Sequence, residues 1–295
     1  MWWIVAAALA ALILAALVRS AWERQALRLK EYEIISDRLP AAFDGKKLVF
    51  LSDLHGQRFG EGNRKLIEKI REAKPDYLLI GGDMMTVKPW LAPDFSALEE
   101  LLSAFSGEVP IYYADGNHEE RMQERKEQYP GWDEQFRKLL SSYQLTYLKN
   151  EKIRLRKGRD HLSLYAYSFS GEQYRKFRLP ALTKEEITER LGPSDGFSIV
   201  LAHTPHYFRS FADWGADLVL SGHNHGGTIR LPLVGGVMTP QFFFFSRYAY
   251  GQISDGRHRE IISAGLGTHS INIRLFNRPE VVSVRLRRED EKEHQ

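Results

Sequence analysis

Two histidines one residue apart follow the apolar run 217–221: His223 and His225, within Gly222-His-Asn-His-Gly-Gly227. In extended backbone, positions i and i+2 project to the same side. Both rings can therefore aim at one place beyond a strand end. Neutral imidazole is the commonest side-chain metal ligand, and Gly222, Gly226 and Gly227 permit a sharp turn and a close backbone approach. Alone, the pair reads either as a metal loop or as two polar residues beside a turn. Four more clusters of the same kind lie upstream: Asp53 with His55, Asp83 after Gly81-Gly82, Asn117 with His118 in Asp115-Gly-Asn-His-Glu119, and His203. These positions hold half of the chain's ten histidines. A solitary core histidine, or an aspartate capping a strand, explains one such residue and not the set. The donors are oxygen and nitrogen throughout, which suits Mn, Fe, Zn or Co. With no cysteine in the chain, thiolate sites, disulfides and cysteine nucleophiles are excluded. Asp53, Asp83, Asn117, His55, His203, His223 and His225 exceed the needs of one ion. They suffice for two ions sharing a carboxylate, at the roughly 3.5–4 Å separation of two-metal hydrolases.

Positioning these groups requires strand ends. Apolar runs at 47–52, 77–80, 111–114, 197–202 and 218–220 each stop at one of the clusters, and α/β sheets place functional residues beyond the carboxyl ends of their strands. Helical spacing marks 62–73, where Leu66, Ile67 and Ile70 share a face, and 96–105, with Ser96 as expected N-cap. Residues 132–143 and 183–191 are further helices. Extended stretches are expected at 31–40, as the entry to the domain, and at 153–156, 162–167, 228–231, 260–263 and 281–286. Neither an internal repeat nor a long linker divides the chain, so one domain is expected over 34–288, followed by a charged tail, 289–295.

Residues 2–18 are uninterrupted apolar sequence, about the minimum that spans a bilayer core as a helix. Trp2, Trp3 and Trp22 suit interfacial depths. A cleaved signal peptide carries a basic segment ahead of its apolar run, whereas here only the α-amino group precedes it. The expectation is an uncleaved single-pass anchor over 1–20, joined by a juxtamembrane connector, 21–33. Arg19, Arg24, Arg28 and Lys30 follow the apolar run, which by the positive-inside rule puts the domain in the cytoplasm. A net charge of +3, without a basic stripe interleaved with aromatics, argues against nucleic acid. No protein partner is expected.

Asp53-x-His55, Gly82-Asp83, Gly116-Asn-His-Glu119, His203 and Gly222-His-x-His225 together resemble the motif series of calcineurin-like metallophosphoesterases, in the family's order. Residues 226–232 and the stretch from Gly265 to Pro279 resemble the membrane-anchored branch, which includes bacterial phosphohydrolases acting on membrane-lipid precursors. The resemblance implies a four-layer αββα sandwich, two mixed β-sheets face to face with helices outside. It implies one divalent ion on Asp53, His55 and His225, a second on Asn117, His203 and His223, and Asp83 bridging them. His118 resembles the family's non-ligand histidine, which faces the substrate phosphate and acts as transition-state stabiliser or acid. The implied reaction is hydrolysis of a phosphoester or pyrophosphate by a hydroxide shared between the metals, on a substrate that is lipid-linked or, alternatively, a soluble monoester or diester. A non-catalytic metal-binding scaffold is the reading from another class.

Two departures stand out. Glu119 replaces the family's usual aspartate and is expected to hold His118 less tightly; Asp115 is expected to face solvent. Gly82 and Gly116 are expected to give backbone room beside metal or phosphate. Among other candidates, His206 either supports a ligand or is a loop residue, and His269 either reaches phosphate or is a polar loop residue. Arg58 and Asn63 are substrate contacts or surface groups; His161, His258 and His294 are expected to be solvated. Phe242-Phe-Phe-Phe245 reads as an apolar lip for an acyl chain, with Arg247 for its anionic head, or as a strand buried on both faces.

Overall fold

The computed structural model describes residues 1–268 and 271–289; His269 and most of the charged tail, including His294, lie outside the described residues. Twelve strands form two mixed six-stranded sheets. In the first, the order is β1 (Arg28–Ser36), β14 (Glu280–Arg288), β2 (Lys47–Leu51), β3 (Tyr77–Ile80), β4 (Ile111–Ala114) and β5 (Thr146–Leu148). In the second it is β12 (Gly251–Asp255), β13 (His258–Ile262), β9 (Leu218–Ser221), β8 (Ser198–Ala202), β7 (Asp160–Tyr167) and β6 (Glu151–Lys157). β2, β3, β4 and β5 run parallel, as do β7, β8, β9 and β13.

Alternation along the strands builds three apolar layers. Leu48 and Phe50 of β2, Leu79 of β3 and Val282 and Val284 of β14 meet Leu164, Ile199, Leu201 and Leu220 of the second sheet in the central layer. Their neighbours Val49, Leu51, Leu78 and Ile80 turn the other way, against α2 (Arg64–Ala73), α3 (Ser96–Phe105) and α5 (Trp132–Ser141). Val200, Ala202 and Val219 pack against α6 (Lys184–Leu191) and α7 (Phe208–Trp214). The result is the expected αββα sandwich. Every buried strand carries apolar residues on both faces, as a sheet covered on both sides demands.

Several local expectations are corrected. The first strand starts at Arg28 and pairs with β14 from Arg28↔Glu280 onward, so it begins three residues ahead of the extended entry expected from Glu31, inside the expected connector. The N-terminal helix α1 (Trp2–Glu23) runs past residue 20, and its only buried residues are Ser20 and Glu23. Ser96 is the first helical residue of α3, so Phe95 is the N-cap; the Ser96 backbone N–H donates to Asp94 Oδ1 at 2.9 Å. Of 228–231, only Arg230–Leu231 is strand: β10, which pairs with β11 (Gly235–Gly236) in a short hairpin. The four phenylalanines 242–245 form no strand; Phe242 and Phe245 have φ of 64° and 50°, and Phe244 and Phe245 are exposed.

Candidate metal centre

The loops leaving β2, β3, β4, β8 and β9 converge at one edge of the sandwich and carry every residue singled out above as a ligand. Asp53, His55, Asp83, His223 and His225 all lie in the left-handed region, with φ between 47° and 63°. For a side chain with a Cβ this costs on the order of 1–2 kcal/mol per residue, and such strain persists only where surroundings over-determine it. Here they do. Asp53 N–H donates to Gly82 O and His55 N–H to Asp83 O, each at 3.0 Å. Gly82 and Gly116 are required for a different reason than closeness to a ligand: they touch each other's loops. A Cβ on Gly82 would stand 2.0 Å from Gly116 N, and one on Gly116 2.4 Å from Asp83 Oδ1.

Glu119 locks the same two loops. Fully buried in the first turn of α4 (Asn117–Glu124), its carboxylate accepts from Asp83 N (2.8 Å), Met84 N (3.1 Å), Gly116 N (3.0 Å) and Tyr113 OH (2.7 Å). It is therefore a clamp between the ends of β3 and β4, correcting its expected part in holding His118. Burial, and then the Asp83 charge, push its carboxyl up to about 7. Asp115 is buried too, against the expectation of solvent: it accepts from Tyr147 OH at 2.7 Å and Gln123 Nε2 at 3.0 Å, and burial followed by Glu119 raises it to about 8.

Asp53 Oδ1 lies 3.5 Å from His225 Nε2, 3.7 Å from His203 Nε2 and 3.9 Å from His55 Nε2. Asp83 Oδ2 lies 3.3 Å from His203 Nε2 and 3.7 Å from His55 Nε2. Asp53, His55 and His225 form one group of donor atoms within 4.8 Å of one another, and Asp83, His203 and His223 another. Asn117 Oδ1 and His223 Nε2 are buried with no hydrogen-bond partner, which fits a cation and is costly without one. Electrostatics agree. Burial alone would raise the Asp83 carboxyl, yet the His203 and then His118 rings hold it well below the usual range. His203 shows the converse: burial lowers it, but Asp83 and Asp53 lift it to about 10. Burial and then His203 keep His223 neutral, well below its ordinary value.

The ring nitrogens of these histidines differ in their partners. His203 Nδ1 faces Gly81 O at 2.7 Å and His225 Nδ1 faces Gly267 O at 3.2 Å, so Nδ1 carries the proton toward the carbonyl and a neutral ring turns its Nε2 lone pair to the site. His118 is the reverse: its Nδ1 accepts from Val87 N at 2.8 Å. The proton of the neutral ring then rides on Nε2, which presents a donor and no lone pair, although His118 also lies within ligand distance of His55 and Asp83.

Beside these groups is a cavity of about 360 Å³, lined by His118, His223, Arg121, Lys176, Met238, Phe242, Ile271 and Ile273 among others. Phe242 thus belongs to the cavity wall, stacked on Phe177 at 5.2 Å between centroids. Phe243 packs on His206, whose ring burial holds at about 4. Arg247 lies over Tyr248 and lines no part of the cavity; Arg121, Lys176 and Arg274 are the cations there. Arg58 pairs with Glu100, and Asn63 bonds Phe59 N and Ala97 O, so both are structural. His258 Nδ1 meets Ala216 O, and His161 sits 3.8 Å from Asp195.

Three residues escaped the sequence. Tyr174 places its ring 5.0 Å from that of His223, and its hydroxyl is buried without a partner. Arg274, fully buried, donates to Ala264 O, Gly265 O and Gly267 O, bracing the carbonyl that orients His225. Asn277 Nδ2 donates to His225 O at 2.6 Å while its backbone N–H donates to Glu23 Oε2 at 2.8 Å. The only advance signal was the Arg274–Pro279 stretch, noted for its resemblance and without a role.

Known proteins bear on this arrangement. Residues 46–227 match the family described as calcineurin-like phosphoesterase. The chain is 30% identical over 260 residues to the phosphodiesterase YaeI of Escherichia coli, covering 86% of this chain and 88% of that protein. It is 27% identical over 274 residues to the uncharacterized metallophosphoesterase YkuE of Bacillus subtilis, covering 88% and 85%. A zebrafish transmembrane protein with a metallophosphoesterase domain is 26% identical over 268 residues, covering 88% of this chain and 57% of its own length.

Proposed function

Because this chain belongs to the calcineurin-like phosphoesterase family, and is accordingly a metal-dependent phosphoester hydrolase, we propose that its clustered donors hold two divalent ions. Asp53, His55 and His225 hold one, Asn117, His203 and His223 the other, and Asp83 is shared. The observation that carries this reading is the opposed ring states: Nδ1 of His203 and of His225 is committed to a carbonyl, while Nδ1 of His118 is committed to an N–H. When bound, the metal pair supplies charge neutralisation and lowers the pKa of the attacking water.

The chain's own residues do the rest. His118 directs Nε2–H at a phosphoryl oxygen and stabilises charge developing there, the action typical of preorganised donors. Its Nδ1 bond to Val87 N favours this stabilising role over that of a leaving-group acid. Arg121 and Lys176 attract the anionic substrate into the cavity, and Glu119 keeps the Asp83 and Gly116 loops in register. Met238, Phe242, Ile271 and Ile273 on the cavity wall support a phosphoester or pyrophosphate that bears an acyl chain. The printed name of the E. coli relative favours a diester among soluble alternatives. In this reading α1, apolar and exposed along its length, anchors the domain to the cell membrane with the site on the cytoplasmic side.

Product analysis of the purified protein on an aryl phosphate, a diester and a lipid-linked pyrophosphate, with metal content measured alongside, tests the proposal. Lipid-linked turnover well above the other two, with two ions per chain, is the expected result. Preference for the soluble esters removes the lipid assignment, and one ion per chain in active protein removes the paired centre.

A further inference from the structure

We propose that the apolar rim around the cavity mouth is a second membrane contact, bedded in the same bilayer surface from which α1 emerges; this rests on the reading of α1 as an anchor. The rim is built from loop tips. Leu233, in the β10–β11 turn, is wholly exposed at 108%, and Val234, Phe244, Phe245, Ile271 and Phe276 are each at least 45% exposed. A soluble surface seldom leaves so much contiguous apolar area uncovered.

Backbone bonds make these tips one surface. Arg230 N–H donates to Leu275 O at 2.9 Å, joining the hairpin to the 271–276 segment, and Phe245 N–H donates to Val237 O at 3.0 Å, joining the phenylalanines to the hairpin's outgoing strand. The same segment receives the end of α1. Arg274 N–H donates to Ser20 Oγ at 3.1 Å, Asn277 N–H to Glu23 Oε2 at 2.8 Å, and the Arg19 guanidinium lies 4.2 Å from the Phe276 ring centroid.

That last contact sets the level. Ahead of Arg19, residues 2–18 of α1 are uninterrupted apolar sequence; at about 1.5 Å each they span about 26 Å, near the roughly 30 Å hydrocarbon core of a bilayer. Arg19 is the first charge after the apolar run and marks where hydrocarbon gives way to headgroups. Phe276 stands at that same level, and the tips joined to it reach the headgroup–acyl boundary where apolar side chains partition favourably. Protruding tips continuous with an apolar helix fit a lipid surface better than a protein partner, which a groove or flat face would suit. Since Ile271 also lines the cavity, the mouth opens at the lipid surface, and an acyl-bearing substrate reaches the metals without leaving the bilayer.

The chain has no cysteine, so single labels are clean. Leu233→Cys, Phe244→Cys, Leu12→Cys and Arg159→Cys variants of the full chain, each carrying an environment-sensitive dye, are reconstituted in phosphatidylcholine–phosphatidylglycerol vesicles containing nitroxide lipids. The expected result is blue-shifted, nitroxide-quenched emission at 12, 233 and 244, with 159 in water. Quenching at 12 with 233 and 244 fully hydrated overturns the rim contact and leaves the anchor standing. No quenching at 12 removes the anchor, and the rim with it. Labels at 233 and 244 that are shielded from water yet unquenched by lipid identify a protein partner or second copy and also overturn the proposal.

Discussion

Replacing Glu119 with Gln probes the clamp between the metal loops with little change of shape. Each carboxylate oxygen accepts two bonds: Oε2 from Asp83 N and Gly116 N, Oε1 from Met84 N and Tyr113 OH. The amide keeps one oxygen and converts the other to a donor. Its least costly orientation puts the oxygen on the Asp83–Gly116 side and the NH₂ toward Met84 N and Tyr113 OH, because the hydroxyl can rotate to accept. One backbone donor, Met84 N–H, is then left facing another donor in a fully buried place. Losing a hydrogen bond to a charged group costs about 1.5–3 kcal/mol, and an orphaned buried donor a similar amount. Relief of the repulsion from Asp83, which helps raise Glu119 to about 7, offsets part of this. The net expectation is about 2–3 kcal/mol of lost stability together with weaker metal retention, since the loop that slackens carries Asp83. Denaturant unfolding of wild type and E119Q, with metal content by mass spectrometry after graded chelation, measures both. An unchanged unfolding midpoint and unchanged retention of both ions would show that the clamp is not what holds these loops.

Asp83→Asn should remove most activity and lower metal occupancy, read by phosphatase assay and elemental analysis; a folded variant with full metal content and normal turnover counts against a shared carboxylate. His118→Asn should leave both ions bound while slowing turnover by roughly 100- to 1,000-fold, and loss of an ion with the activity would make His118 a ligand. His206 gives a pH signature in the metal-free protein. Burial holds its folded value at about 4 against an ordinary 6.5, so between these values the unfolded chain binds the extra proton and stability is lost as pH falls through 6.5 towards 4, by at most about 3 kcal/mol. His206→Phe, packed against Phe243 and Tyr248, should flatten that part of a melting-temperature profile; an unchanged slope would place the acid sensitivity elsewhere.

The donor set could be read in advance because each member ends a recognisable apolar run, and residue type and strand end together carry the signal. What the sequence could not show are contacts between loops far apart in the chain. Glu119 looks like a variant catalytic carboxylate until four donors from two loops and a tyrosine are seen around it. Asp115 looks solvated because its neighbours are polar, yet Tyr147, more than thirty residues away, buries it. The left-handed backbone at Asp53, His55, Asp83, His223 and His225 could not be read in advance, because Asp and His are enriched there but mostly stay at negative φ. The start of β1 was missed over 28–30 because an edge strand, paired on one side only, tolerates Arg28 and Lys30, and charge there reads as a connector. Tyr174 carries no motif and gains its place from the fold alone, and Asn277, though inside a stretch noted for its resemblance, gains its role from the contacts of the fold.

The junction of α1 with the domain has no swivel. Residues 24–27 are all that separate the helix from β1; Arg24 N–H and Gln25 N–H still bond back to Ser20 O and Trp22 O, and Arg278 Nε holds Ala26 O at 2.7 Å. With α1 in a bilayer, the domain is denied pitch and roll and keeps only yaw about the membrane normal. Such an enzyme does not sample a volume. For the lipid-linked substrate proposed above, encounters would be set by lateral diffusion, and the rate should follow the mole fraction of substrate within the bilayer, not the amount of substrate per volume of surrounding water.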